Sequence, residues 1–248
     1  MSALPIPAST LVILRDRIGR APELLMVERA ATMAFAAGAM VFPGGRIDPD
    51  DYRLAEVMGL GDDGPARIAA IRETIEEVGL AIGVAPTPSA ATVADLRAKL
   101  HAGMPFAQTL AAHGLTLIPD ALTPFARWLP DHPGMRIFDT LFFLARAPAD
   151  VEVEVDGTEN VRLVWTTAAQ ALAAADAGEA TIIYPTRRNL ERLARFDSHA
   201  AACADAAAFP MRTITPFVEE RDGVLHLCIP ADCGYPVTAE PMTAVRRH

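Results

Sequence analysis

Between Pro65 and Gly79 the chain carries a segment whose chemistry leaves it few structural choices. Ile68, Ile71, Ile75 and Val78 recur at three- and four-residue steps, the spacing of an apolar face on an α-helix. The punctuation agrees with a helix over residues 65–78. Pro65 suits the first turn, Asp62 and Asp63 favour the positive end of the helix dipole, and Gly79 suits the position just past the end. On the same helix Glu73, Glu76 and Glu77 stand at i, i+3 and i+4, on a face turned away from the isoleucine stripe. Three carboxylates so close raise one another's pKa unless positive charge sits among them. Arg72 can pair with Glu76 one turn on. A hard divalent cation would offset more, and oxygen-only ligands favour Mg²⁺ or Mn²⁺. Taken alone, three glutamates are more often a solvated acidic face.

The surroundings read as a mixture of strands and helices. Strands are expected over residues 10–14, 24–27 and 39–42, with a hairpin connection across 15–22. Residues 48–64 hold five aspartates and three glycines and read as a loop. Helices follow at 91–101 and 106–113, strands at 125–128, 139–144 and 161–165, helices at 167–177 and 186–196, and a hairpin around Arg221-Asp222-Gly223. With no internal repeat and no low-complexity linker, the pattern favours one α/β domain with insertions.

Composition narrows the function classes. A net charge of −9 over 248 residues argues against nucleic-acid binding, because no basic tract can displace the counterions of a duplex. It leaves room for a small phosphorylated substrate, since bound cations supply positive charge. No window is apolar enough for a membrane span, and Met1-Ser2-Ala3-Leu4-Pro5 lacks the character of a secretory signal. Cys203, Cys228 and Cys233 show no metal-ligand spacing and suit a reducing compartment, so a cytoplasmic location is expected. The histidines have no nucleophile partner pattern.

Arg, Glu, two adjacent Glu and Gly at these offsets should arise by chance about 10⁻⁴ times in a chain of this length. From Arg72 to Leu80 the sequence resembles the signature of the Nudix hydrolase superfamily, with polar Thr74 at its first apolar place. Phe42-Pro43-Gly44-Gly45 is similar to that family's strand exit, with Gly45 opening the box. Asp51 then stands where the family has Glu, and residues 52–64 form a 13-residue insertion. Both departures resemble a branch that includes the peroxisomal coenzyme A diphosphatases, as do Phe35, Gly38, Ala126-Arg127-Trp128 and Phe138-Asp139-Thr140.

The resemblance implies a Nudix-type α/β/α sandwich with a mixed sheet, a helical insertion and a C-terminal extension. Its bounds would be a domain over 8–197, box 45–80, helical cap 90–123, and an extension over 198–248 packed on the same domain. It implies metal ligation by Glu73, Glu76, Glu77 and Gly45, a catalytic role for Glu76 and Glu77, and Arg72 as their orienting partner. Glu159, in the loop before a later strand, is implied as an extra ligand or general base. Arg29, Arg46, Phe125 and Arg127 are the candidates for substrate binding, with His132 and Arg136 nearby. The implied reaction is metal-dependent hydrolysis of a nucleoside diphosphate linked to another moiety, with coenzyme A or acyl-CoA first. Arg29 matches one position of the motif of bacterial CoA-directed relatives, but Ala30 and Ala34 replace its usual Ser and second Arg. NADH, ADP-ribose and dinucleoside polyphosphates therefore stay open, as does a nucleotide-sensing module without turnover, although such modules usually lose box carboxylates. The expected partners are a small-molecule substrate and at most a second copy of the chain.

Overall fold

The computed structural model describes residues 4–30, 36–131, 136–148 and 160–245. The chain runs through β1 (Ile6–Arg17), β2 (Arg20–Arg29), β3 (Met40–Val41), β4 (Gly44–Arg46), α1 (Pro49–Val57) and α2 (Gly64–Val78). It continues with β5 (Val84–Ala85), α3 (Ala90–His101), α4 (Phe106–Ala111), β6 (Thr116–Leu117), β7 (Thr123–Trp128), β8 (Phe138–Arg146) and β9 (Asn160–Thr167). The last part is α5 (Ala168–Asp176), α6 (Tyr184–Leu193), α7 (His199–Ala208), β10 (Thr213–Ile214), β11 (Phe217–Arg221), β12 (Val224–Cys228), β13 (Ala239–Pro241) and α8 (Met242–Val245).

The main sheet orders its strands β10-β7-β8-β1-β2-β3, with β4 added on β1 and β9 on β2. It is mixed. β1 lies antiparallel to β2 and β4 but parallel to β8, from Ile6 opposite Phe138 to Leu14 opposite Arg146. β1 and β2 read as unbroken apolar runs because both faces of this sheet are covered. Leu11 and Ile13 enter a core shared with α2, α3 and α4, whereas Val12 and Leu14 enter a second core with α5, α6 and α7. The result is the expected α/β/α layering. Ile68, Ile71, Ile75 and Val78 are fully buried on the first face, each worth about 1.5–3 kcal/mol of apolar burial. Among the described residues no helix is long and apolar enough to cross a membrane.

Three elements differ from expectation. The expected hairpin is there, but its connection is a tight turn at Ile18 and Gly19, so the strands extend through most of the polar stretch 15–22 that read as the connection. Residues 48–64 are not a plain loop, because Asp48 caps α1, Pro49 opens it, and Asp51 completes a capping box. The polar composition concealed a short helix whose Asp51 and Ala55 are buried while Arg53, Glu56 and Val57 face solvent. Finally, α3 and α4 cover the outer side of α2, burying Leu96, Leu100, Phe106 and Leu110 in the first core. The helical segment over 90–123 thus backs the acidic helix.

Candidate active site

The pairing of β4 with β1 sets Gly44 opposite Thr10 and Gly45 opposite Ser9, at the end of α2 that carries the glutamates. The glycines are needed there for contact. A Cβ on Gly45 would stand 2.4 Å from Glu73 Oε1, and one on Gly44 would stand 2.3 Å from the Ser9 carbonyl oxygen. The Gly44 amide donates to Glu77 Oε2 at 2.9 Å. The glycine turn and the acidic helix are therefore one structural unit, with the 52–64 insertion passing outside their contact.

Arg72 is the hub of this unit. Its Nε and Nη2 donate to Asp51 Oδ1 and Oδ2 at 3.1 and 2.8 Å, a bidentate pair in which Asp51 is wholly buried. Nη2 also donates to the Arg46 carbonyl at 2.9 Å, and Nη1 to Glu73 Oε1 at 2.9 Å and Glu76 Oε1 at 3.3 Å. Burial alone would pull its pKa down, but Asp51 and the glutamates hold the guanidinium well above its ordinary range. Asp51 is the residue that sequence reasoning undervalued. It registered only as a mismatch to Glu, although its place three residues after Asp48 marks the helix start.

The glutamates are not the solvated acidic face that three such residues alone usually form. Glu77 is buried, Glu73 is largely so, and Glu76 is intermediate. Burial pushes the Glu73 carboxyl up to about 8; Arg72 opposes this, while the charges of Glu77 and Glu76 reinforce it. Glu76 is raised for the same leading reason, again opposed by Arg72. Behind them, Arg97 of α3 donates to the Glu76 and Glu77 carbonyls at 2.7 and 2.9 Å, satisfying the last turn of α2.

A cavity of about 510 Å³ opens beside Gly44, Gly45, Glu73 and Glu76. Its floor is the second-core face of the sheet, with Thr10, Thr140 and Trp128. Arg29, Arg46 and Arg136 line it as well. Their guanidinium groups make no ion pair or hydrogen bond with any described residue. Ile183, Pro185 and Thr186, at the start of α6, form a further wall.

Of the residues expected to contact substrate, Arg29 and Arg46 reach this cavity, and Phe125 and Arg127 do not. Phe125 is 1% exposed and lies under the Arg192 guanidinium in the second core. Its side chain points to the covered face of β7 and is unavailable to a ligand. Arg127, on the opposite face, is committed to Asp139 at 2.8 and 2.6 Å. Glu159 and His132 lie outside the described residues. Trp128 and Arg136, beside them in sequence, do line the cavity.

No family model matches the chain. The crystal structure of a Nudix hydrolase from Alicyclobacillus acidocaldarius is 30% identical, superposes with a TM-score of 0.71, and is matched over 97% of its length and 82% of this chain. The chain belongs to the Nudix hydrolase family. The human acyl-coenzyme A diphosphatase NUDT19 is 30% identical over 206 residues, 75% of this chain. The chain spans about half, 54%, of that relative's length. Within this Nudix hydrolase the all-oxygen donor set of Glu73, Glu76, Glu77 and the backbone at Gly45 suits a hard divalent cation. Among the described residues, however, no group of three acidic, histidine or cysteine side chains is placed so as to hold a metal ion. Arg72 occupies Glu73 and Glu76, and the Gly44 amide holds Glu77.

Proposed function

We propose that this Nudix hydrolase cleaves the diphosphate of a nucleotide linked to another moiety, using Mg²⁺ or Mn²⁺, with coenzyme A or acyl-CoA as the first substrate class. The observation that carries the reading is one cavity lined both by α2 carboxylates and by three arginines that have no ionic partner among the described residues. Carboxylates alone would repel a diphosphate, and arginines alone would bind it without a reason for the buried acids. Together they fit a polyanion that arrives with a cation. The volume lies within the range of small-molecule sites.

Glu73, Glu76 and the Gly45 backbone would hold the cation, with Glu77 completing the set from beneath Gly44. Bound there, it would polarise the diphosphate and lower the pKa of a coordinated water. The chain's own share is positioning. Arg72, fixed by Asp51, holds Glu73 and Glu76 in place and limits their mutual repulsion. Arg46 and Arg29 would grip phosphate oxygens in bidentate fashion. Glu159 directly precedes Asn160, which pairs with Arg29 across β2 and β9, and we assign it as a further ligand or general base. The similarity to the human acyl-coenzyme A diphosphatase NUDT19 supports placing CoA ahead of NADH, ADP-ribose and dinucleoside polyphosphates. The three cysteines are free, which suits the reducing cytoplasm.

The test is a hydrolysis screen over those substrates with added Mg²⁺ or Mn²⁺ and product masses. Glu76→Gln and Glu77→Gln should each lower turnover by several orders of magnitude. Near-normal turnover in both variants, or cleavage indifferent to metal, overturns the assignment.

A further inference from the structure

The amino end of α6 differs in chemistry from the glutamate wall. The helix starts at Tyr184 with apolar Ile183 at its cap, no side-chain cap, and no acidic residue in its first turn. The backbone N–H groups of Tyr184 and Thr186 have no intrahelical acceptor, and Pro185 between them has no donor. Thr186 is 3% exposed and lines the cavity, and its hydroxyl makes no hydrogen bond to any described residue. The buried Nε of Arg29 also has no partner. These two groups are linked through the backbone. The Arg29 amide donates to the Ala39 carbonyl at 3.0 Å, and the Met40 amide donates to the Thr181 carbonyl at 2.7 Å, two residues before Ile183.

A buried donor left unsatisfied costs about 1–3 kcal/mol, and Arg29 Nε is such a donor beside the cavity, where the Thr186 hydroxyl is also free to bond. The acidic residues of the cavity, Asp48, Glu73 and Glu76, all come from α1, its cap and α2, which pack on the other face of the sheet. The α6 wall offers only donors and the positive end of a helix dipole, a combination that suits an oxyanion. The geometry points to an anion subsite formed by the start of α6, Thr186 and Arg29, which takes a phosphate monoester borne by the substrate away from its diphosphate. This rests on the reading of the cavity as a nucleoside-diphosphate site. It makes that site selective for nucleotides phosphorylated a second time on the ribose. The two common sources of that chemistry are coenzyme A and NADPH. They are separable, because each has a partner compound lacking only the monoester.

The experiment is calorimetric titration of the full chain with Ca²⁺, a hard cation taken by oxygen ligands and first checked to support no turnover, with coenzyme A against dephospho-CoA and NADPH against NADH. In at least one pair the phosphorylated member should bind tenfold or more tightly. Thr186→Val, which keeps shape and charge, and Arg29→Gln should each cut that preference below threefold, and Thr186→Ser should retain it. Thermal melts of each variant confirm folding. The subsite is overturned if neither pair shows a preference, if nothing binds, or if Thr186→Val keeps the preference. Failure of the hydrolytic reading looks different: the binding preference persists, while no substrate is turned over when Mg²⁺ or Mn²⁺ is added.

Discussion

Asp51 is the most sensitive test of how the site is built. It is wholly buried, grips Arg72 through two charge-assisted hydrogen bonds, and accepts the Asp48 amide at 2.8 Å as part of the α1 capping box. Removing one member of a buried ion pair strands the other charge, at a cost of about 3–5 kcal/mol. Loss of the cap adds about 1 kcal/mol. Asp51→Ala should therefore destabilise the protein by roughly 4–6 kcal/mol, and at about 2–4 °C per kcal/mol the melting temperature should fall by roughly 8–24 °C. Asp51→Asn can keep the acceptor for the cap and should lose about 1 kcal/mol less. The paired replacement Asp51→Leu with Arg72→Met removes both charges and should recover a large part of the loss, the non-additivity expected of direct partners. The assay is denaturant and thermal unfolding of the three variants and wild type without metal. Asp51→Ala within about 0.5 kcal/mol of wild type, the range of an ordinary surface substitution, would refute the view that this ion pair anchors the box.

Gly45→Ala places a methyl group where Glu73 Oε1 lies 2.4 Å away, so the carboxylate must shift. A displacement near 1 Å should lower kcat about 100-fold, and a steady-state titration with Mg²⁺ checks it. Glu73 has a folded pKa of about 8, above its ordinary 4.5, so the stability tied to its protonated form is complete below pH 4.5 and is lost as pH rises through 8. The metal-free protein should lose on the order of 5 kcal/mol across that window. Glu73→Gln should flatten the loss in thermal melts run against pH in EDTA, and an unchanged pH slope would contradict it. Arg127→Ala should cost at most about 1 kcal/mol, because its partner Asp139 sits in a partly exposed pair. Its KM should stay unchanged, whereas a large rise would restore Arg127 as a substrate contact.

The acidic helix was legible because two independent codes overlap in it, the isoleucine period and the Pro–Gly punctuation, and both report local chemistry. Residues 65–78 were expected and Gly64–Val78 is helical. The short helix α1 was missed for the opposite reason, since its composition is that of a loop and only the Asp48–Asp51 spacing marks it. Phe125 and Trp128 show a further limit. They lie three residues apart on β7 and on the same core, yet only Trp128 borders the cavity. A bulge between Pro124 and Ala126 shifts the register of β7 against β8, so simple alternation does not rank these aromatics by exposure. Nothing local marked Arg97 or Thr186 either. Arg97 matters only because α3 folds back on the end of α2, and Thr186 only because α6 begins at the cavity.

The residues beyond Phe196, opaque in the sequence, acquire a physical role through the same wall. Trp128 is 1% exposed, and its indole N–H donates to the Tyr235 hydroxyl at 3.1 Å, which donates in turn to Asn189 Oδ1 of α6 at 2.6 Å. The ring is further enclosed edge-on by Tyr184 and Tyr235, with centroids 6.1 and 5.7 Å away. Burial pushes the Tyr235 phenol above its ordinary pKa, which favours the neutral hydroxyl that donates to Asn189. Arg192 braces the same strand by donating to the Phe125 carbonyl at 3.3 Å while paired with Asp205 of α7 at 2.8 Å. One cavity wall is thus held from behind by residues as much as 107 positions later in the chain. Each buried polar group in the Trp128–Tyr235–Asn189 relay orients the next, and a polar network of this kind fixes one geometry where apolar packing alone would tolerate several. By that logic the segment around Tyr235 sets the position of Trp128, and with it the shape of one wall of the cavity.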